Sequence, residues 1–111
     1  MILVIGPLKL TGGGGPAILR QQGYRFAEFD DLEAGLLLEA MPDMVVSPLI
    51  GQDFDAMDVA RRLAQLGYRG PYRALTAPLP RPGLVKAEVM ADAPGLDFDL
   101  VVVSHEPDRP G

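Results

Sequence analysis

The side chains that could do chemistry stand where apolar runs give way to loops. Ser47-Pro48 follows Met44-Val45-Val46 and precedes a loop and an amphipathic helix, the position at which parallel α/β domains present reactive groups. A serine nucleophile needs a base to take its proton. No G-x-S-x-G frames Ser47, and the single histidine, His105, lies in the C-terminal tail as a solvated residue, so a strand-end turn is the preferred reading. Gly12, Gly13, Gly14 and Gly15 follow the first apolar run, where successive backbone N–H groups could cradle a phosphate. The run has neither a G-x-G-x-x-G nor a G-x-x-x-x-G-K-[ST] pattern, and Lys9 precedes the glycines instead of following them. It reads first as a loop and second as the anion-binding loop of a nucleotide or small-molecule sensor. Asp53, Asp55 and Asp58 could surround a cation, but a helix N-cap with an acidic first turn uses the same residues. Pro78, Pro80 and Pro82 stiffen a loop rather than offer a polyproline ligand.

Composition removes several classes. The chain has 111 residues, 48% hydrophobic and 23% charged, the profile of one globular domain. No apolar run approaches the roughly 18 residues of a membrane span. Ten Lys and Arg against fifteen Asp and Glu give a net charge of −5, which repels a phosphate backbone and argues against direct nucleic-acid binding. With no cysteine and one histidine, there is no disulfide, thiolate site or histidine metal cluster. No catalytic residue, metal or cofactor is expected. The N-terminal run Met1–Ile5 lacks a basic flank and breaks at Gly6-Pro7, unlike a signal peptide, so the expected location is cytoplasmic.

The elements that must position these residues alternate. Met1–Ile5 reads as a first strand buried on both faces. Pro16 can start a short helix that Gly23 stops. Tyr24–Phe29 suits a second strand, and Leu32–Met41 a helix with Leu32, Leu36, Leu37 and Ala40 inward. Asp43–Ser47 is a third strand. Ala56, Val59, Ala60, Leu63 and Ala64 then give the most regular helix, ending at Gly67. Pro71–Thr76, a helix over Leu84–Ala91, and Phe98–Val103 complete the pattern. Short connections between alternating strands and helices predict a flavodoxin-like three-layer α/β sandwich around a parallel sheet of order 2-1-3-4-5. It occupies residues 1–104, with a flexible tail over 105–111 whose prolines and glycine exclude a stable helix.

In this order the chain resembles a bacterial response-regulator receiver domain. The resemblance rests on "ILVIG", on "LRQQGYRFAEFDDLEAGLLLEAMPDMVV", on "DAMDVARRLAQLG" and on "ALTA", and covers nearly the whole chain. Receivers of two-component signalling accept a phosphoryl group on an aspartate ending the third strand. Acidic residues after the first strand hold a metal ion, and a lysine ends the fifth. Carried onto this chain, the acidic pair falls on Gly6 and Pro7, the aspartate on Ser47 or Pro48, and the lysine on Val103 or Ser104; only Thr76 matches in kind, as the switch hydroxyl. Without carboxylate and metal, phosphotransfer has neither nucleophile nor charge neutralisation. The resemblance therefore implies a pseudo-receiver that acts by protein–protein interaction and not as an enzyme.

It also implies a gap in the helical cover. Four consecutive glycines in a helix interior lose roughly 3–4 kcal/mol relative to alanine, so the first helix is expected to be shortened. In the proline-rich stretch after Val103 no fifth helix is expected. If ~500 Å² of the face over strands one and three were bare, the loss at ~25 cal/mol per Å² would be on the order of 12 kcal/mol. A homodimer, or a partner signalling protein, is expected to cover it, the alternative being a helix supplied by a longer parent chain.

Overall fold

The computed structural model describes residues 1–6, 23–51 and 53–103. Five strands form one all-parallel sheet: β1 (Ile2–Ile5), β2 (Tyr24–Ala27), β3 (Met44–Pro48), β4 (Pro71–Thr76) and β5 (Asp97–Val102), in the order β2-β1-β3-β4-β5. This is the predicted order. The shortened first helix, the absent fifth helix and the tail all fall outside the described residues.

Among the described residues three α-helices join the strands: α1 (Ala34–Ala40), α2 (Ala56–Gln65) and α3 (Pro82–Asp92). The predicted second strand runs two residues too far, because Glu28 and Asp31 form a reciprocal capping box around a 3₁₀ turn over Phe29–Asp31. That local bonding outcompetes the strand ladder. The helix predicted from Leu32 begins at Ala34 instead, and Leu32 is buried ahead of it. On α2, Ala56, Val59, Ala60 and Leu63 are buried as their spacing requires. Pro82 opens α3 at its first turn, where its missing N–H costs nothing.

Paired residues of a parallel ladder share a face. Leu3, Val45, Tyr72 and Phe98 are in register and meet Leu63 and Val89 of the helices in the larger core. On the other face Ile2, Val4 and Val46 make a second buried cluster, flanked by Met44 and Leu75. The strip over strands one and three is thus buried within the single chain, contrary to the bare face that the sequence predicts. Exposed ground on that face lies at its margins, at Tyr24 and Phe26 on β2 and at Asp97, Asp99 and Val101 on β5. Among the described residues no helix is long and apolar enough to cross a membrane.

Candidate functional site

All strands run the same way, so their C-terminal ends share one edge. Gly6 leaves β1 there, Pro48 ends β3, Thr76 ends β4 and Val103 follows β5. The edge is knitted by backbone bonds from Gly6 N to Ala27 O (2.8 Å), Leu49 N to Leu75 O (2.8 Å) and Val103 N to Thr76 O (2.8 Å). The sheet therefore brings together Gly6, Ser47, Pro48, Thr76 and Val103. Pro7, Ser104 and Gly12, Gly13, Gly14 and Gly15 lie outside the described residues.

Ser47 is not in a strand-end turn. It is the penultimate residue of β3, paired with Ala74, and its side chain is 0% exposed on the face of the larger core. Its hydroxyl donates to Pro48 O at 2.9 Å and meets the Tyr72 hydroxyl at 2.5 Å. With its one proton directed at Pro48 O, Ser47 accepts from Tyr72. Burial pushes the Tyr72 phenol well above its ordinary range, and the Ser47 hydrogen bond opposes this only in part. The pair is a satisfied core hydrogen bond between two neutral hydroxyls, with neither a base nor access to substrate. Thr76 turns its hydroxyl to its neighbour, donating to Ala77 O at 2.8 Å.

The space above Gly6 is filled by Phe54. The loop after β3 closes on itself through Gly51 N to Phe54 O (2.8 Å) and Ala56 N to Leu49 O (2.9 Å), with an antiparallel bridge between Ile50 and Asp55. This directs the Phe54 ring, 7% exposed, over the end of β1. A Cβ at Gly6 would overlap the ring at Cζ and come within 2.6 Å of Cε1; one at Gly51 would stand 2.9 Å from the same two atoms. Gly6 also has φ +92°, a backbone conformation open mainly to glycine. Phe29, carried by the 3₁₀ turn, stacks on Phe54 with centroids 5.5 Å apart and planes at 10°. Arg62 of α2 lies over the Phe29 ring at 4.8 Å and donates from Nη1 to Leu32 O at 2.9 Å. Guanidinium and two rings thus layer over the exit of the first strand.

The nearby carboxylates serve local structure. Asp55 caps α2 by accepting from Asp58 N at 3.0 Å, and Asp58 accepts from Asp55 N at 3.0 Å. Their presence is accounted for by the capping box. Among the described residues no group of three or more metal-ligating side chains comes together. Sequence reasoning missed Phe54, Phe29 and Tyr72. The one sequence signal for the plug was the pairing of glycines at the exits of strands one and three with an aromatic residue shortly after the second. Compared with known proteins, the chain matches no protein-family model and no curated relative.

Proposed function

We propose that the chain is a degenerate receiver-like domain of flavodoxin-like fold, a bacterial cytoplasmic signalling module that acts through protein–protein contacts without phosphorylation or catalysis. The observation that carries this reading is the Phe54 ring seated on Gly6 and Gly51. An aspartyl-phosphate site needs a carboxylate, a divalent cation and a cationic side chain converging on one oxygen-lined cavity. Here the corresponding edge is an aromatic stack, and the hydroxyl nearest the acceptor position is buried and hydrogen-bonded into the core. A site closed by its own side chains leaves the outer surfaces to carry the function.

The test is incubation with acetyl phosphate, or with beryllofluoride, in the presence of Mg²⁺. Intact mass and the amide NMR spectrum are expected to stay unchanged. A stoichiometric, Mg²⁺-dependent adduct would overturn the reading.

A further inference from the structure

The two edges of the sheet are built differently. At the β5 edge, the Leu100 N–H, which alternation directs away from β4, donates to the Asp99 carboxylate at 2.8 Å. Lys86 pairs with Asp99 at 3.5 Å, and Asp97 and Asp99 line the strand with negative charge. These are the devices by which an edge strand refuses a second strand. At the β2 edge, among the described residues, no side chain bonds an outward backbone group, and the one charged residue of the strand, Arg25, stands on the face opposite the exposed rings. Gly23 O and Ala27 O accept from β1, so the N–H and C=O groups of Tyr24 and Phe26 point outward. Among the described residues nothing pairs with them. Tyr24 is 40% and Phe26 49% exposed, ring against ring at 5.1 Å. Arg25, on the opposite face, is held by Glu39 of α1 at 3.5 Å.

We propose that the β2 edge is a homodimer interface at which two copies join antiparallel through Phe26, making one continuous sheet. The proposal deepens the interaction-module reading by naming the partner as a second copy. Three observations select that occupant. First, bare backbone donors and acceptors call for a strand. Second, the guarded β5 edge blocks β2-to-β5 pairing, which would build an open filament, and leaves the closed two-fold arrangement. Third, the strand is self-complementary. Outward-facing residues must oppose outward-facing ones, which a two-fold axis through any residue of the strand satisfies; an axis through Tyr24 sets Phe26 against a position before the strand begins, and one through Ala27 sets Arg25 against Phe29, already in the 3₁₀ turn, which leaves Arg25 and Phe26. The first choice sets Arg25 against Arg25 of the second copy, a like-charge clash. The second sets Phe26 against Phe26 and Arg25 against Ala27, with Tyr24 opposite Glu28 and no like charges directly opposed. A single strand pair buries little surface, so the dimer falls in the small-interface class and forms at micromolar concentrations.

The full chain, Phe26→Lys and two single-cysteine variants test this. In sedimentation across about 1 to 500 µM, the wild-type mass is expected to rise toward twice the monomer mass. Phe26→Lys, which sets two lysines against each other on the axis, is expected to remain monomeric with an unchanged far-UV spectrum. Because the chain has no cysteine of its own, Phe26→Cys gives an independent readout. Directly paired residues bring their Cα atoms to about 5.5 Å, within disulfide reach. Mild oxidation should therefore cross-link Phe26→Cys and leave Asp99→Cys, on the guarded edge, monomeric. A wild-type monomer throughout the range overturns the interface, as does equal dimerisation of Phe26→Lys or equal cross-linking at position 99. None of these outcomes touches the acetyl phosphate experiment, so the two readings fail separately.

Discussion

Phe54→Ala should cost far more than its place in a loop implies, and its coupling to Gly6 measures how completely the ring fills the strand exit. The side chain is 7% exposed and packs face to face on Phe29. Truncating a buried phenylalanine costs about 3–5 kcal/mol, and the lost aromatic pair is worth about 0.5–1.5 kcal/mol within that. The site lies under a loop that can partly collapse, so about 3 kcal/mol is the expected value. With a urea m-value of roughly 1–1.5 kcal/mol/M for a domain of this size, the midpoint should fall by about 2 M. Gly6→Ala carries two costs: a backbone penalty at φ +92°, about 1–2 kcal/mol, and overlap of the new Cβ with the ring, about 1–3 kcal/mol more. In the Phe54→Ala background the overlap disappears and only the backbone penalty remains. The double variant should therefore be more stable than the sum of the singles predicts by about 1–3 kcal/mol. Chemical denaturation of the four proteins closes the cycle. Additivity within about 0.5 kcal/mol, or a Phe54→Ala cost below about 1 kcal/mol, would refute the plug.

The hydroxyl pair and the buried phenols give two further expectations. Ser47→Ala strands the Tyr72 hydroxyl in the core and should cost about 1–3 kcal/mol, whereas Tyr72→Phe leaves Ser47 its bond to Pro48 O and should cost about 1 kcal/mol or less; equal losses in urea titration would contradict the bonding order. Burial pushes the Tyr68 phenol up to about 12, with Arg73 opposing it, and raises Tyr72 as well. Both folded values lie above the unfolded value of 10.0. Their contribution is thus complete below the unfolded value and is lost as pH climbs from it toward the folded ones. Urea midpoints should be level to about pH 9 and fall steeply by about pH 11, less steeply in Tyr72→Phe; a flat profile would contradict the burial.

Much of the fold was legible because its signals are local. Branched apolar runs such as Ile2–Ile5 and Met44–Val46, separated by the regular spacing of Val59, Ala60 and Leu63, dictate alternating strands and helices and hence a parallel sheet. The end of β2 was not legible, because alternation continues through Phe29 while the Glu28–Asp31 capping box has already turned the chain. The candidate site was half legible. That Gly6, Pro48, Thr76 and Val103 gather at one edge follows from strand direction alone. The fate of Ser47 depends on register, which sets it beside Ala74 in the same core layer as Tyr72, and no local pattern encodes that. Phe54 was hidden for the same reason, since its partner Gly6 belongs to a strand far off in sequence.

Sequences tend to break the rules of stability where function requires it. By that criterion the C-terminal edge of this sheet is an unusual place for an α/β domain to be orderly. Glycines that elsewhere let a ligand approach the backbone are filled by the chain's own ring, the tyrosine hydroxyl is taken up by the serine and the serine's by the Pro48 carbonyl, and the carboxylates cap a helix. Each feature adds stability, and none holds a reactive group out to solvent. The broken rule is at the opposite margin, where β2 presents two exposed aromatic rings and outward-facing backbone groups, with no proline in the strand and its one charged residue, Arg25, turned to the other face. An unguarded edge invites association, and its contrast with the charged β5 edge of the same sheet makes composition or chance a poor account of it. The physical conflict, and with it the place to look for function, has moved from the strand exits to the rim of the sheet.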